Sequence, residues 1–345
     1  FLAFGEPLQL LAFGLLVLLV VNAKFTAAIY AVLLVVALLG CALLAAAPRA
    51  RVQRLALLSA GALALGVLVI GYAPYVTNSL RHGHPFYPLF GHGALDVVTE
   101  QTPVSWRDDA PLLRLVQSLL SRPQSWILPA PRLTPPFVFA PGDLKAFGDP
   151  DTRVAGFGPL FSAGLLGAIA IAALSVARSR QTRSYVVFMS LVAASVLVNP
   201  EAWWARWAPQ LWLAAALAPP LLLEDAVRWR RLLGFGVAGV LAANSLLLAG
   251  IALRKALKGS AVWRQTLGQL SAARESCGPF YVVWGDHTSN RARLERAGIP
   301  FVEAASQKAV ACSQWEPILP AGNERLTTVS LCSPRAPLDS CLGPR

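Results

Sequence analysis

Seven apolar runs divide the chain, at about residues 7–22, 26–46, 55–72, 156–177, 184–198, 209–223 and 232–253, and no Asp, Glu, Lys, Arg or His lies in their centres. A helix rising about 1.5 Å per residue crosses a hydrocarbon core in about 20 residues, so the fifth and sixth runs must borrow flanking residues to span one. The pattern predicts an all-α polytopic membrane body of about seven transmembrane helices, covering residues 1–253. Between the first two runs, Asn22, Lys24 and Thr26 make a short polar break. It reads as an outward turn between two spans, or as the bend of one re-entrant segment.

Positive charge gives the runs a direction. Arg49, Arg51 and Arg54 form one cluster, Arg178, Arg180 and Arg183 a second, and Arg228, Arg230 and Arg231 a third, each between apolar runs. Basic loops favour the cytoplasmic side, and the three clusters agree. The residues 73–155, the turn around Glu201 and the tail 254–345 are therefore expected to be extracytoplasmic, with the chain a multi-pass protein of a bacterial inner membrane. Of its 345 residues 55% are hydrophobic and 14% charged, which excludes an ordinary soluble domain. The formal charge of +12 sits largely in loops beside the bilayer, where anionic membrane lipids are the expected partner and nucleic acid is not. The chain opens on Phe1, with no basic segment before the first apolar run. That start reads as the carboxy-terminal part of a longer protein, not as a signal peptide.

The connection 73–155 is too long to be a plain linker, because structureless loops beyond about 15 residues usually act as lids or binding elements. Within it, Ala110 to Ser121 sets Leu112, Leu113, Val116, Leu119 and Leu120 near one helical face. Such a helix either lies in the membrane interface or packs on neighbouring protein, and Trp126 after it suits a headgroup belt. The stretch Pro129 to Pro141 is proline-rich and predicts a rigid extended strap. Beyond the last run, Arg254 to Ser276 reads as a helix. Phe280–Trp284, Ser289–Ala297 and Ile299–Glu303 then read as strand, helix and strand, a small βαβ-like unit in an extracytoplasmic α/β tail. Its turn Gly285-Asp-His-Thr288 lacks a glycine-rich phosphate fingerprint and reads as structural. Cys277, Cys312, Cys332 and Cys341 all fall in this tail, a spacing suited to a disulfide framework with three possible connectivities.

The residues able to carry chemistry cluster at the outward turns. Asn78 to Leu89 leaves the third run and folds back, with Gly83 permitting the turn, Pro85 and Pro88 stiffening it, and Phe86 and Tyr87 anchoring it. Arg81 then offers a fork of donors to a phosphate, or snorkels to lipid headgroups. His82, His84 and His92, followed by Asp96, are of the ligand type for a divalent cation, provided an extended backbone lets them converge. In the turn between runs five and six, Glu201 and Arg206 are the only charges among Trp203, Trp204, Trp207 and Trp212. The indoles lower the local dielectric, which strengthens a contact to phosphate or sugar; an ion pair within the turn is the plainer alternative. Asp149 and Asp151, beside Arg153, are candidate catalytic carboxylates, as is Glu201, or they simply turn the chain into the bilayer.

These motifs together resemble bacterial membrane glycosyltransferases of the GT-C superfamily. Asn78 with Gly83-His-Pro-Phe-Tyr-Pro88 is similar to a loop after a span in that family, and Arg206-Trp-Ala-Pro209 to its Arg-Tyr-x-x-Pro element near the lipid phosphate. Gly158-Pro-Leu-Phe161 and Lys24-Phe-Thr26 resemble two further family steps. The likeness runs over about residues 20–225, with Trp207 in place of Tyr and the proline one position early. It implies sugar transfer from a polyprenyl-phosphate carrier to a glycan, lipid or protein acceptor at the outer face, in cell-envelope glycan synthesis. Arg206, Arg81, Lys24, Trp203, Trp207 and Tyr87 would bind carrier or substrate, and the usual base, an aspartate of the first outer loop, would lie before Phe1. The other functions weighed are a transporter or flippase of a lipid-linked saccharide, which would need polar positions along several spans, and a non-catalytic scaffold recruiting a partner through its tail.

Overall fold

Each apolar run is helical over most of its length. The computed structural model describes residues 7–23, 27–93, 101–124, 130–136, 138–148, 152–284, 290–310, 315–317 and 330–333. The helices are α1 (Pro7–Ala23), α2 (Ala27–Leu44), α3 (Arg49–Leu65), α4 (Tyr72–His82), α5 (Pro111–Leu119), α6 (Pro141–Ala146), α7 (Phe161–Ser175), α8 (Arg180–Ala194), α9 (Pro209–Leu217), α10 (Pro220–Leu223), α11 (Arg228–Cys277) and α12 (Arg291–Arg296). Four stretches are long and apolar enough to cross a membrane: Ala27–Leu44, Arg49–Ile70, Arg180–Val198 and Arg228–Cys277. The apolar helices Leu8–Ala23, Phe161–Ser175 and Pro209–Leu223 are shorter. α1 and α2 pack against each other as two helices. Lys24 itself lies outside the described residues.

Local chemistry sets the helix limits. Arginine is a good helix former, so α3 begins at Arg49, directly after Pro48, and takes in the first basic cluster. The fourth run starts late, at Phe161, because Gly158 sits at φ +102° and Pro159 follows it. Asn244, fully buried in α11, holds that entry: its Nδ2 donates to the Phe157 carbonyl at 3.0 Å and its Oδ1 accepts from the Leu160 N–H at 2.9 Å. The Pro219-Pro220 pair interrupts the sixth run and separates α9 from α10. No proline interrupts residues 228–277, so the last run and the helix expected after it form one element of 50 residues.

α7 and α11 meet through small residues. A Cβ at Gly164 would stand 2.5 Å from Leu241 Cδ2, and one at Gly167 2.5 Å from Val237 Cγ2. The glycines let the two backbones approach, as small-xxx-small faces do between membrane helices. Around this contact lies the main core of the larger unit, built on Phe157, Phe161, Ile171, Met189, Leu211 and Leu222.

The three arginine clusters share one end of the bundle. Arg178 Nη2 reaches the buried Asp225 Oδ2 at 2.8 Å and Arg230 Nη1 stands 3.9 Å from the same oxygen. Arg180 Nε donates to the Leu44 carbonyl at 2.8 Å, just before the loop that carries Arg49. This is the geometry the alternating pattern requires.

The chain divides into two units, Phe1–Leu248 and Ala249–Arg345. In the second, Trp263, Leu270, Ala273 and Cys277 of α11 form a core with Phe280, Val282, Leu294, Ile299 and Leu331. Strands β1 (Phe280–Val283) and β2 (Phe301–Glu303) are parallel and flank α12, which is the anticipated βαβ unit. Two strands that the sequence pattern does not announce, β3 (Glu316–Pro317) and β4 (Ser330–Cys332), extend the sheet to the order β2-β1-β4-β3. Cys277 and Cys332 each take part in a disulfide, and Cys41 is a buried free thiol. On the tail surface, the hydrogen bond to Glu295 and the charge of Glu303 push the Arg291 guanidinium above its ordinary value. The turn 285–288 lies outside the described residues.

Candidate functional site

The corner between α8 and α9 is built from tryptophan. The backbone leaves α8 through a 3-10 turn (Ser195–Val198), bends at Asn199, and forms another (Ala205–Trp207) before Pro209 opens α9. Asn199 Oδ1 accepts from the Glu201 N–H at 2.9 Å and so fixes the bend. Trp106, Val154, Ala155, Trp203 and Trp204 make one buried cluster, with Trp207 packed against it. The corner thereby recruits both the beginning and the end of the loop 101–155.

Glu201 holds these parts together. Its buried carboxylate accepts from Thr102 Oγ1 at 2.9 Å, from the Trp203 indole N–H, and from Arg114 Nη1 at 3.4 Å. Arg114, on α5, also donates from Nε to the Asp109 carbonyl at 2.9 Å and from Nη2 to the Arg107 carbonyl at 2.7 Å. The turn's acid therefore pairs with a residue of the long loop and not with Arg206. Each carboxylate oxygen of Glu201 has a protein donor, which makes it a tie between segments. Trp203 is completely buried and completes that tie.

α5 is the helix expected between Ala110 and Ser121, and its sides differ. Leu115 and Ser118 are buried and Leu119 packs on the main core, whereas Leu112, Leu113 and Val116 are exposed. The apolar face read from the sequence is thus divided between a protein contact and an open surface. After α5 the chain is extended, with isolated bridges Ser121 to Leu133 and Gln124 to Val154. The strap residues around it turn into the short α6, and Trp126 lies outside the described residues.

Two guanidinium groups converge on a single indole. The Arg153 and Arg206 Cζ atoms each lie 5.0 Å from the Trp204 ring centroid, and Arg206 is also 5.6 Å from that of Trp207. Arg153 Nη1 further donates to Gln101 Oε1. Cations over an aromatic face are attracted by its quadrupole, so the ring gathers positive charge, with Arg206 exposed and Arg153 half-buried. Trp204 is 5% exposed and its buried indole Nε1 has no hydrogen-bond acceptor among the described residues. Nearby in sequence, Gln210 in the first turn of α9 is 4% exposed, and neither of its side-chain amide atoms has a partner among the described residues. Buried polar groups are normally satisfied, so an indole N–H that lacks an acceptor under two cations is an uncommon arrangement.

The other residues read from the sequence lie elsewhere. Arg81 is exposed on the last turn of α4, which ends at Gly83 with φ +71°. Tyr87 accepts at its carbonyl from Asn78 Nδ2 at 3.0 Å, and its ring stacks on His82 with centroids 3.7 Å apart. His84 Nδ1 accepts from the Phe86 N–H at 3.2 Å, and His92 is exposed. His82 and His84 are thus used in ring packing and turn formation, and no group of three His, Cys, Asp or Glu suited to a metal ion occurs among the described residues. Asp96, Asp149 and Asp151 lie outside those residues. Sequence reasoning placed Arg206 at the site but missed Arg153 as its companion, along with Thr102 and Gln210. The only signal for Arg153 was its position at the head of a span. No protein-family model, curated protein or solved structure matches the chain.

Proposed function

We propose that the chain is a polytopic membrane glycosyltransferase that binds the phosphate of a polyprenyl-phosphate-linked sugar at the Trp204 corner. The observation that carries this reading is the convergence of Arg153 and Arg206 on one buried indole whose N–H lacks an acceptor. The motif likeness to GT-C enzymes, which includes Arg206, supports it independently. In the reaction, an acceptor hydroxyl attacks the anomeric carbon of the sugar while the bond from that carbon to the carrier phosphate breaks. The departing phosphate takes the electron pair, and the two guanidiniums stabilise that growing charge. The acceptor's proton passes to a base, for which Asp149 and Asp151 remain the candidates within this chain and Glu201, occupied by three donors, does not. The loop 73–155 borders the corner and would admit the acceptor. On this reading all seven apolar runs span a bacterial inner membrane, with the corner, the loop and the tail on its outer side.

Arg206→Ala and Arg153→Ala should each weaken binding of a long-chain polyprenyl phosphate by roughly tenfold or more, as for loss of one charge-assisted phosphate contact. Native mass spectrometry of the intact protein measures that binding, and a radiolabelled polyprenyl-phosphate hexose measures transfer in proteoliposomes. Unchanged binding and transfer in both variants would overturn the assignment. Binding that depends on both arginines, without transfer to any acceptor, would point instead to carriage of the lipid-linked saccharide.

A further inference from the structure

One face of α11 carries a repeat that packing inside the bundle does not use. From Leu232 to Leu257 the positions spaced alternately four and three residues apart are all leucine, glycine or alanine, and each of them is exposed. At 3.6 residues per turn this seam runs along the side of the helix away from Val237, Leu241 and Asn244, which meet α7 and the turn before it. A spacing of four and three repeats every seven residues, the period at which two helices wind about each other in a left-handed supercoil.

Glycine gives the seam its character. Gly164 and Gly167 of α7 stand against α11, and a Cβ at Gly234 would lie 3.2 Å from Leu222 Cβ, so these glycines answer a close neighbour. Gly236, Gly239 and Gly250 differ: among the described residues, nothing lies within 4 Å of the place a Cβ would take. Glycine weakens a helix relative to alanine, and lipid tails gain nothing from its bare backbone. A second helix does gain, because small residues let two membrane helices approach closely.

The seam also outlasts the hydrocarbon. Leu253 and Leu257 are 60% and 61% exposed, and they stand among the exposed Arg254, Lys255 and Lys258, whose charges mark the edge of the apolar layer. From end to end the seam is about 38 Å long at 1.5 Å per residue, against a hydrocarbon core of about 30 Å. A matching partner is therefore a helix that continues past the membrane. α11 is such a helix, with 50 residues, whereas the other membrane-length stretches among the described residues have 22 or fewer.

We infer that α11 pairs with α11 of a second copy of this chain, parallel and in register, across a two-fold axis along the membrane normal. Copies inserted alike share the direction and depth of α11, so each glycine meets its own counterpart and the leucines interleave between them. This pairing is independent of what the Trp204 corner binds.

Oxidative cross-linking in native membranes and light scattering of the intact protein in detergent test the pairing. Leu246→Cys and Leu253→Cys should each give a species of twice the chain's mass, whereas Ala252→Cys, exposed on another side of α11, should not. Light scattering should show a dimer. Its dissociation constant should rise at least roughly tenfold in Gly236→Leu and in Gly239→Leu, the scale of overpacking a close contact. The monomer of each glycine variant should melt no lower than the parent monomer, because the described residues leave that space open. Absence of the doubled species at both leucine positions leaves the face to lipid and overturns the pairing. So does a dimer that survives both glycine variants, or cross-linking at Ala252 as strong as at Leu246. Cross-linking of Leu246→Cys to a different protein in place of a second copy overturns it as well.

Discussion

At the scale of single residues, Glu201 shows how position in a fold decides chemistry. Its place among tryptophans in an outward turn suggests a catalytic acid, or a partner for Arg206 five residues on. The structure instead pairs it with Arg114, 87 residues earlier in the chain, and adds donors from Thr102 and Trp203. No local pattern encodes such a distant pairing, which is why it was not legible. Arg206 was legible, because a cation between indoles at the start of a span is a local signal. Removing one member of a buried ion pair leaves the other desolvated and unmatched. Glu201→Ala and Arg114→Ala should therefore each lower stability by about 3 kcal/mol. Thermal unfolding of the two single variants and the double variant would check this, the double costing much less than the sum. A Glu201→Ala protein that melted normally yet lost transfer would return Glu201 to the catalytic candidates.

At the scale of elements, periodicity and breakers revealed most of the helices. The apolar runs, the helix 111–119, the turn at Gly83 and the βαβ order could all be read directly. What escaped has physical reasons. β3 and β4 are two and three residues long, shorter than any alternation can register, and one of them contains Pro317. α11 was read as two pieces because its polarity changes at Arg254, although nothing in its backbone chemistry stops a helix there. The close contact of α7 with α11 through Gly164 and Gly167 needed coordinates, since glycine in an apolar run is common. Gly164→Val or Gly167→Val would drive a branched side chain into Leu241 or Val237. Each should destabilise the bundle by about 1 to 3 kcal/mol, the usual cost of overpacking, as read from the detergent melting point. Asn244→Ala should cost a similar amount, about 1 to 3 kcal/mol, by leaving the Leu160 N–H and the Phe157 carbonyl unsatisfied.

At the scale of the whole molecule, three basic clusters at one end of the helices agree with a chain threaded back and forth through a bilayer. On the proposed orientation that end faces the cytoplasm. A cysteine placed at Ala205, in the tryptophan corner, should react with an impermeant maleimide in intact cells. One placed at Ser179, between α7 and α8, should react only after the cells are opened. The reverse result would invert the orientation and remove the outward-facing reaction with it. Buried Cys41 and the disulfide-bonded Cys277 and Cys332 should contribute little background to that experiment.

Leu241 belongs to two neighbourhoods at once, meeting the glycine face of α7 and lining an apolar cavity of about 380 Å³ with Trp212 and Leu223. A side chain grown at Gly164 would swing that leucine across its own helix and narrow the cavity behind it. A change on the α7 side of α11 is thus felt on its α9 side, and the detergent melting points of Gly164→Ala, Ala242→Leu and the double variant would show that coupling as a departure from additivity.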